Sequence, residues 1–130
     1  MIERRWTADL LATIFGLIFL AVGLLGFTNN PIVSAIGFFA VNDAHNWVHV
    51  ASGLIFLAGA VLRIPAITIR VMAALYLIVA ITGFVITDRM MFGLVEMNVA
   101  DRWLHLAIAA VLLFVGFMAP ARESVRPAHL

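Results

Sequence analysis

Residues 10–27 read LLATIFGLIFLAVGLLGF, without a charged side chain. A helix needs about 20 mostly apolar residues, within a range of about 17–25, to cross a hydrocarbon core. This run meets that length, and three more runs follow it. The second starts around Trp47 and ends at Leu62, reaching spanning length when its helix includes polar residues 42–46. The third is Val71–Thr87 and the fourth Trp103–Ala119. Arg4 and Arg5 give the first run a basic flank, as in a signal peptide. The run is long, however, and continues into Thr28-Asn29-Asn30-Pro31, a turn signature, with no small-x-small cleavage site. It is therefore read as a retained helix.

Composition supports this reading. Of 130 residues, 65% are hydrophobic and 12% charged, against about 45–50% and about 25% in soluble domains. A compact chain this short has too little interior to hide so much apolar surface from water, and a chain this apolar is not disordered. The absence of cysteine removes thiol catalysis, disulfides and iron–sulfur clusters. A net charge of +1 gives no electrostatic case for nucleic acid as a partner. The expected fold is all-α: one polytopic membrane domain over residues 1–130, with spans at about 10–27, 45–62, 69–87 and 102–119 in the lipid bilayer.

The chain has no lysine, so arginines set the orientation. Arg4, Arg5, Arg63, Arg70, Arg122 and Arg126 fall on one side of the four spans, and Arg89 and Arg102 on the other. The positive-inside rule then places both termini and the loop between the second and third spans in the cytoplasm. Asp43, Asp88, Glu96 and Asp101 all fall on the outer side. Trp6, Trp47 and Trp103 lie near span ends, where indoles favour the interface.

The two halves also resemble each other. Gly37, Asn42, Ala44, Trp47 and His49 recur in constant register as Gly93, Asn98, Ala100, Trp103 and His105, and Gly26-Phe27 answers Gly83-Phe84 after one residue of slippage. Chance matches Leu with Val easily but rarely Asn, Trp and His together. The expected architecture is two helical hairpins in the same orientation, a parallel repeat about an axis along the membrane normal. Before each even-numbered span lies an apolar stretch too short to cross, Ile32–Val41 and Met90–Met97. These stretches are expected to fold back over the bundle as a cap. Phe38, Phe39, Met90, Met91 and Phe92 would dip into the interface, and pairing of the two stretches as strands is a weaker option.

The polar residues cluster by helical spacing. Asn42, His45 and His49 share one face, as do Asn98, Asp101 and His105. Below each histidine runs a line of small and apolar residues: His49-Gly53-Phe56-Ala60 and His105-Ala109-Leu112-Gly116. Small residues let membrane helices approach closely, so both histidines should point into the bundle. Three readings of this cluster stand open. The first is a hydrogen-bonded clasp, with Asn42 and Asn98 capping helices and Asp101 pairing with His105. The second is a metal site built from His45, His49, Asp101 and His105, a set that suits zinc or copper. The third is a haem held by His49 and His105, or a chlorophyll-type pigment on one of these two histidines. Tyr76 stands alone on the third span and is expected to pack or to reach an interface.

The repeated motifs Asn42-Asp43-Ala44-His45-Asn46-Trp47-Val48-His49 and Asn98-Val99-Ala100-Asp101-Arg102-Trp103-Leu104-His105, carried on four spans, resemble an uncharacterised family of small bacterial four-helix membrane proteins, a domain of unknown function. The resemblance runs from Ala12 to Met118. It implies a four-helix fold in the bacterial inner (cytoplasmic) membrane and a role for Asn42, His49, Asn98, Asp101 and His105 in the fold. It implies no reaction.

No charge lies in the middle of any run, which argues against a proton relay, pump or voltage sensor. No phosphate-binding glycine loop or nucleophile motif is present. The expectation is a non-catalytic protein, not an enzyme: a structural or accessory subunit of a larger membrane assembly. Its partners would be other membrane subunits or a second copy of the chain. The alternative is a haem-, pigment- or metal-binding membrane protein using His49 and His105.

Overall fold

The computed structural model describes residues 2–118, with the side chains of residues 7–117. Trp6, Arg4 and Arg5 therefore have no described side chain, and Arg122 and Arg126 lie outside the described residues. Four helices follow one another: α1 (Ile2–Gly26), α2 (Asp43–Val61), α3 (Pro65–Val85) and α4 (Val99–Met118). Each is long and apolar enough to cross a membrane, and the fold is all-α with four candidate spans. Compared with the sequence reading, α3 begins earlier, because Pro65 stands in its first turn. There its fixed φ suits the helix and its missing N–H is no loss. The α2–α3 turn is tight enough to hold Arg63 at φ 62°. Arg63 Nη1 lies 3.7 Å from Asp9 Oδ2 on α1.

Contacts are densest within the pairs α1–α2 and α3–α4 and sparser between them. Lipid is as apolar as leucine, so these helices associate through close packing more than through water exclusion. Gly16 and Gly53 show how this works: a Cβ on Gly53 would lie 2.7 Å from Leu20 N and 2.8 Å from Gly16 O. Only hydrogen at Gly53 lets α2 touch the backbone of α1. At the bundle centre, Phe19, Phe56, Ile69, Met72, Tyr76 and Leu112 form one buried cluster. Outward-facing Leu17, Ile78 and Phe114 are more than half exposed, as lipid-facing side chains should be.

The stretches between the helices form the cap. Each pairs within itself, in contrast to the weaker option of pairing with the other. β1 (Val33–Ser34) lies beside β2 (Phe39–Ala40), and β3 (Met90–Met91) is antiparallel to β4 (Val95–Glu96). Phe38, Met90 and Phe92 are exposed as expected, whereas Met91 is buried, because its side chain points inward from β3. Cross-links join the two loops to the opposite hairpins. Asn42 Nδ2 donates to Leu94 O at 2.8 Å, and Asn98 Nδ2 donates to Phe38 O at 2.9 Å. The same two asparagines cap α2 and α4: Asn42 Oδ1 accepts from His45 N and Asn98 Oδ1 from Asp101 N. Such caps satisfy backbone donors that a helix start leaves unpaired.

Candidate metal centre beneath the cap

The first turns of α2 and α4 meet under this cap. Their side chains meet although backbone contacts between the two helices are sparse. His45 and His49 stack at 4.8 Å between ring centroids, His45 and His105 lie 5.4 Å apart, and His49 and His105 5.9 Å. All three imidazoles are buried. One ring nitrogen from each can be chosen so that the three lie within 4.8 Å of one another.

Two of the imidazoles are pinned from behind. His45 Nδ1 lies 2.6 Å from Glu96 O on β4, and His105 Nδ1 lies 2.8 Å from Asp101 O one turn earlier on α4. A carbonyl only accepts, so each Nδ1 carries the hydrogen. In the neutral ring this leaves Nε2 as the lone-pair atom. His45 Nε2 is buried without a partner, and so is His49 Nδ1. Buried polar atoms are almost always paired, so two unpaired ring nitrogens in one cluster require an explanation.

Asp101 is placed differently from the sequence expectation. Its carboxylate does not share the space between the rings. Oδ2 lies 3.9 Å from His45 Nδ1 and Oδ1 lies 3.9 Å from His105 Nδ1, behind both rings and beyond hydrogen-bond reach. The Asp101–His105 pair at i, i+4 is thus a close approach and not a direct hydrogen bond, because the imidazole bonds the backbone carbonyl of Asp101 instead. Asp101 Oδ2 itself has no hydrogen-bond partner. Of the four expected metal ligands, the structure brings His45, His49 and His105 together and sets Asp101 behind them.

Below the rings the polar cluster continues into residues that sequence reasoning passed over. Tyr76, expected to pack or to reach an interface, packs: it is buried, lies parallel to His105 with centroids 5.9 Å apart, and places its hydroxyl 3.0 Å from Ser52 Oγ. Ser52 carried a signal: it lies three residues after His49 on the same face of α2. Phe19 of α1 closes the remaining side, 5.6 Å from His49 and 5.0 Å from Tyr76. All four helices thus contribute a side chain to this cluster. The lines below His49 and His105 run inward as expected, with Phe56, Ala109 and Leu112 fully buried.

The chain matches the family model "Domain of unknown function (DUF4383)" over residues 9–118. It belongs to that family. The match covers α2, α3, α4, most of α1 and both halves of the cap, so the buried cluster lies within the family domain. No curated protein and no solved structure gives a match.

Proposed function

We propose that this chain is an internally duplicated, multi-pass membrane protein that holds one transition-metal ion, zinc or copper, through His45, His49 and His105. The observation that carries the reading is the convergence of three buried ring nitrogens within 4.8 Å, with two of the rings oriented from behind by backbone carbonyls. Metal-ligating histidines characteristically donate their other ring N–H to a carbonyl or carboxylate, which fixes tautomer and ring plane. Imidazole suits zinc and copper, and three nitrogens leave one coordination position for a further ligand. At Zn–N distances of about 2.0–2.1 Å, tetrahedral nitrogens stand about 3.4 Å apart. Binding a metal would draw the three nitrogens together from within 4.8 Å. Asp101, with carboxylate oxygens 3.9 Å from Nδ1 of two of the rings, stands next to the three histidines without being one of the converging ligands.

A macrocycle suits the site less well. A tetrapyrrole on His49 and His105 needs a slot between these rings. His45 and Tyr76 instead pack directly against His105, and His45 stacks on His49.

Duplication is supported by the matched cross-links Asn42–Leu94 and Asn98–Phe38, each made by the asparagine that caps its own helix. The arginine distribution supports a location in the bacterial cytoplasmic membrane with both termini inside and the metal centre near the outer face. A structural or accessory place in a larger membrane assembly stands beside this reading. Purification in mild detergent would show co-purifying subunits or a second copy of the chain, and a lone monomer would refute that place.

Cobalt(II) substitution tests the metal centre. The purified wild-type protein should develop the visible bands of low-coordinate cobalt, and His105→Asn should abolish them while keeping its melting temperature near wild type. If the cluster is only a polar clasp, no bands appear in either protein.

A further inference from the structure

His45, His49 and His105 form a ligand set without charge. His45 donates Nδ1–H to Glu96 O, and His105 donates Nδ1–H to Asp101 O. An imidazole that donates from Nδ1 in this way offers the lone pair of Nε2 and stays neutral. His49 likewise binds a metal as the neutral ring. No carboxylate belongs to the converging set. The three rings are 1%, 4% and 2% exposed, so water screens an ion among them poorly.

The neighbouring charges offer little balance. Among the described residues, Asp101 alone sets carboxylate oxygens against ring nitrogens of the three, at 3.9 Å from His45 Nδ1 and from His105 Nδ1. The Glu96 carboxylate is engaged by Arg89, whose Nε donates to its Oε1 at 2.6 Å. Arg102, next to Asp101 in the chain, directs its Nη2 to Thr87 O and Asp88 O at the end of α3. The cost of burying a charged cluster rises with the square of its net charge. With Asp101 ionised, a monovalent ion leaves the cluster neutral and a divalent ion leaves it one charge positive. With Asp101 protonated, the net charges are one and two. The monovalent ion is the less costly in both cases. Coordination number points the same way. Zinc takes four ligands and Cu(II) favours tetragonal sites, whereas Cu(I) is satisfied by three nitrogens, the number that converge here.

Resting on the metal centre proposed above, we infer that the ion it selects is Cu(I), held by His45, His49 and His105 in preference to zinc and to Cu(II). The site keeps copper in its reduced state, because oxidation adds a charge that no ligand balances.

The test is metal competition on the full chain purified in mild detergent, without oxygen and with ascorbate present. Cu(I) is titrated against bicinchoninate, and zinc against a chromophoric zinc chelator. Wild type should bind Cu(I) with a Kd at least about a hundredfold below its Kd for zinc, as the difference in buried charge requires. On exposure to air the bound copper should stay silent in electron paramagnetic resonance. His49→Glu puts a carboxylate into the ligand set and should shift the preference towards zinc, lowering the ratio of the zinc Kd to the Cu(I) Kd at least about tenfold. Should His49→Glu fail to fold, the wild-type competition and the resonance spectrum still decide. Zinc bound as tightly as Cu(I), a Cu(II) signal on exposure to air, or an unchanged Kd ratio in His49→Glu would overturn the inference and leave the histidine metal centre standing. Uptake of neither ion by wild type would instead refute the metal centre, and this inference with it.

Discussion

Replacing Asn42 tests how the cap is held over the three buried histidines. Its side chain makes three hydrogen bonds: Oδ1 accepts from His45 N at 3.0 Å and Glu96 N at 3.2 Å, and Nδ2 donates to Leu94 O at 2.8 Å. Asn42→Ala loses a helix cap worth about 1 kcal/mol and two bonds worth about 0.5–1.5 kcal/mol each. The sum is about 2–4 kcal/mol, and the lower half applies because the bond to Leu94 is exposed to water. Asn42→Asp keeps both acceptor bonds and loses only the donation to Leu94. A carboxylate at a helix start also gains about 0.3–1 kcal/mol from the dipole, so its net cost should be within about 1 kcal/mol of wild type. Unfolding by SDS in mixed micelles, followed by circular dichroism, gives the ranking. Amide hydrogen exchange should show faster exchange at Glu96 in Asn42→Ala than in Asn42→Asp. If the aspartate variant is as unstable as the alanine variant, or neither loses stability, the cap is not held by this side chain.

Three further outcomes are expected. Gly53→Leu should separate α1 from α2, because its Cβ alone would lie 2.7 Å from Leu20 N; overpacking of this kind typically costs about 1–3 kcal/mol, and a smaller loss in the same SDS titration would contradict the close approach. Phe56→Ala should cost about 3–5 kcal/mol, since a fully buried ring in the central cluster leaves a cavity behind; a melt within 2 °C of wild type would mean that the cluster collapses without strain. A reporter fused after Leu130 should read cytoplasmic, and a periplasmic signal would reverse the arginine-based orientation.

The four spans were legible because length and apolarity alone define a membrane helix, and the caps because asparagine recurs three residues before His45 and Asp101. The burial of His49 and His105 was legible from the small residues below them, since lipid-facing helices gain nothing from such residues. Less was visible of how the helices meet. In a soluble bundle the apolar stripe marks the inner face, but here both faces are apolar, so nothing in the sequence turned Tyr76 toward His105 or paired it with Ser52. The place of Asp101 behind the rings was hidden for a related reason. Helical spacing put it on the same face as His105, but which atoms meet depends on the cross-chain bond of His45 to Glu96, a contact between residues 51 positions apart. The internal pairing of each cap loop escaped notice because strands of two residues leave no alternation to read.

Metal content of the protein purified from its native membrane, compared between wild type and His49→Ala, tests the central claim most directly. His49 is the informative choice because its Nδ1 has no partner in the structure, so its removal deletes a ligand without breaking the bonds that orient His45 and His105. Wild type should carry about one zinc or copper ion per chain, and His49→Ala should carry little or none while remaining folded. A metal-free, stable wild-type protein that takes up neither zinc nor copper on titration would contradict the metal centre and leave the three histidines as a packing cluster.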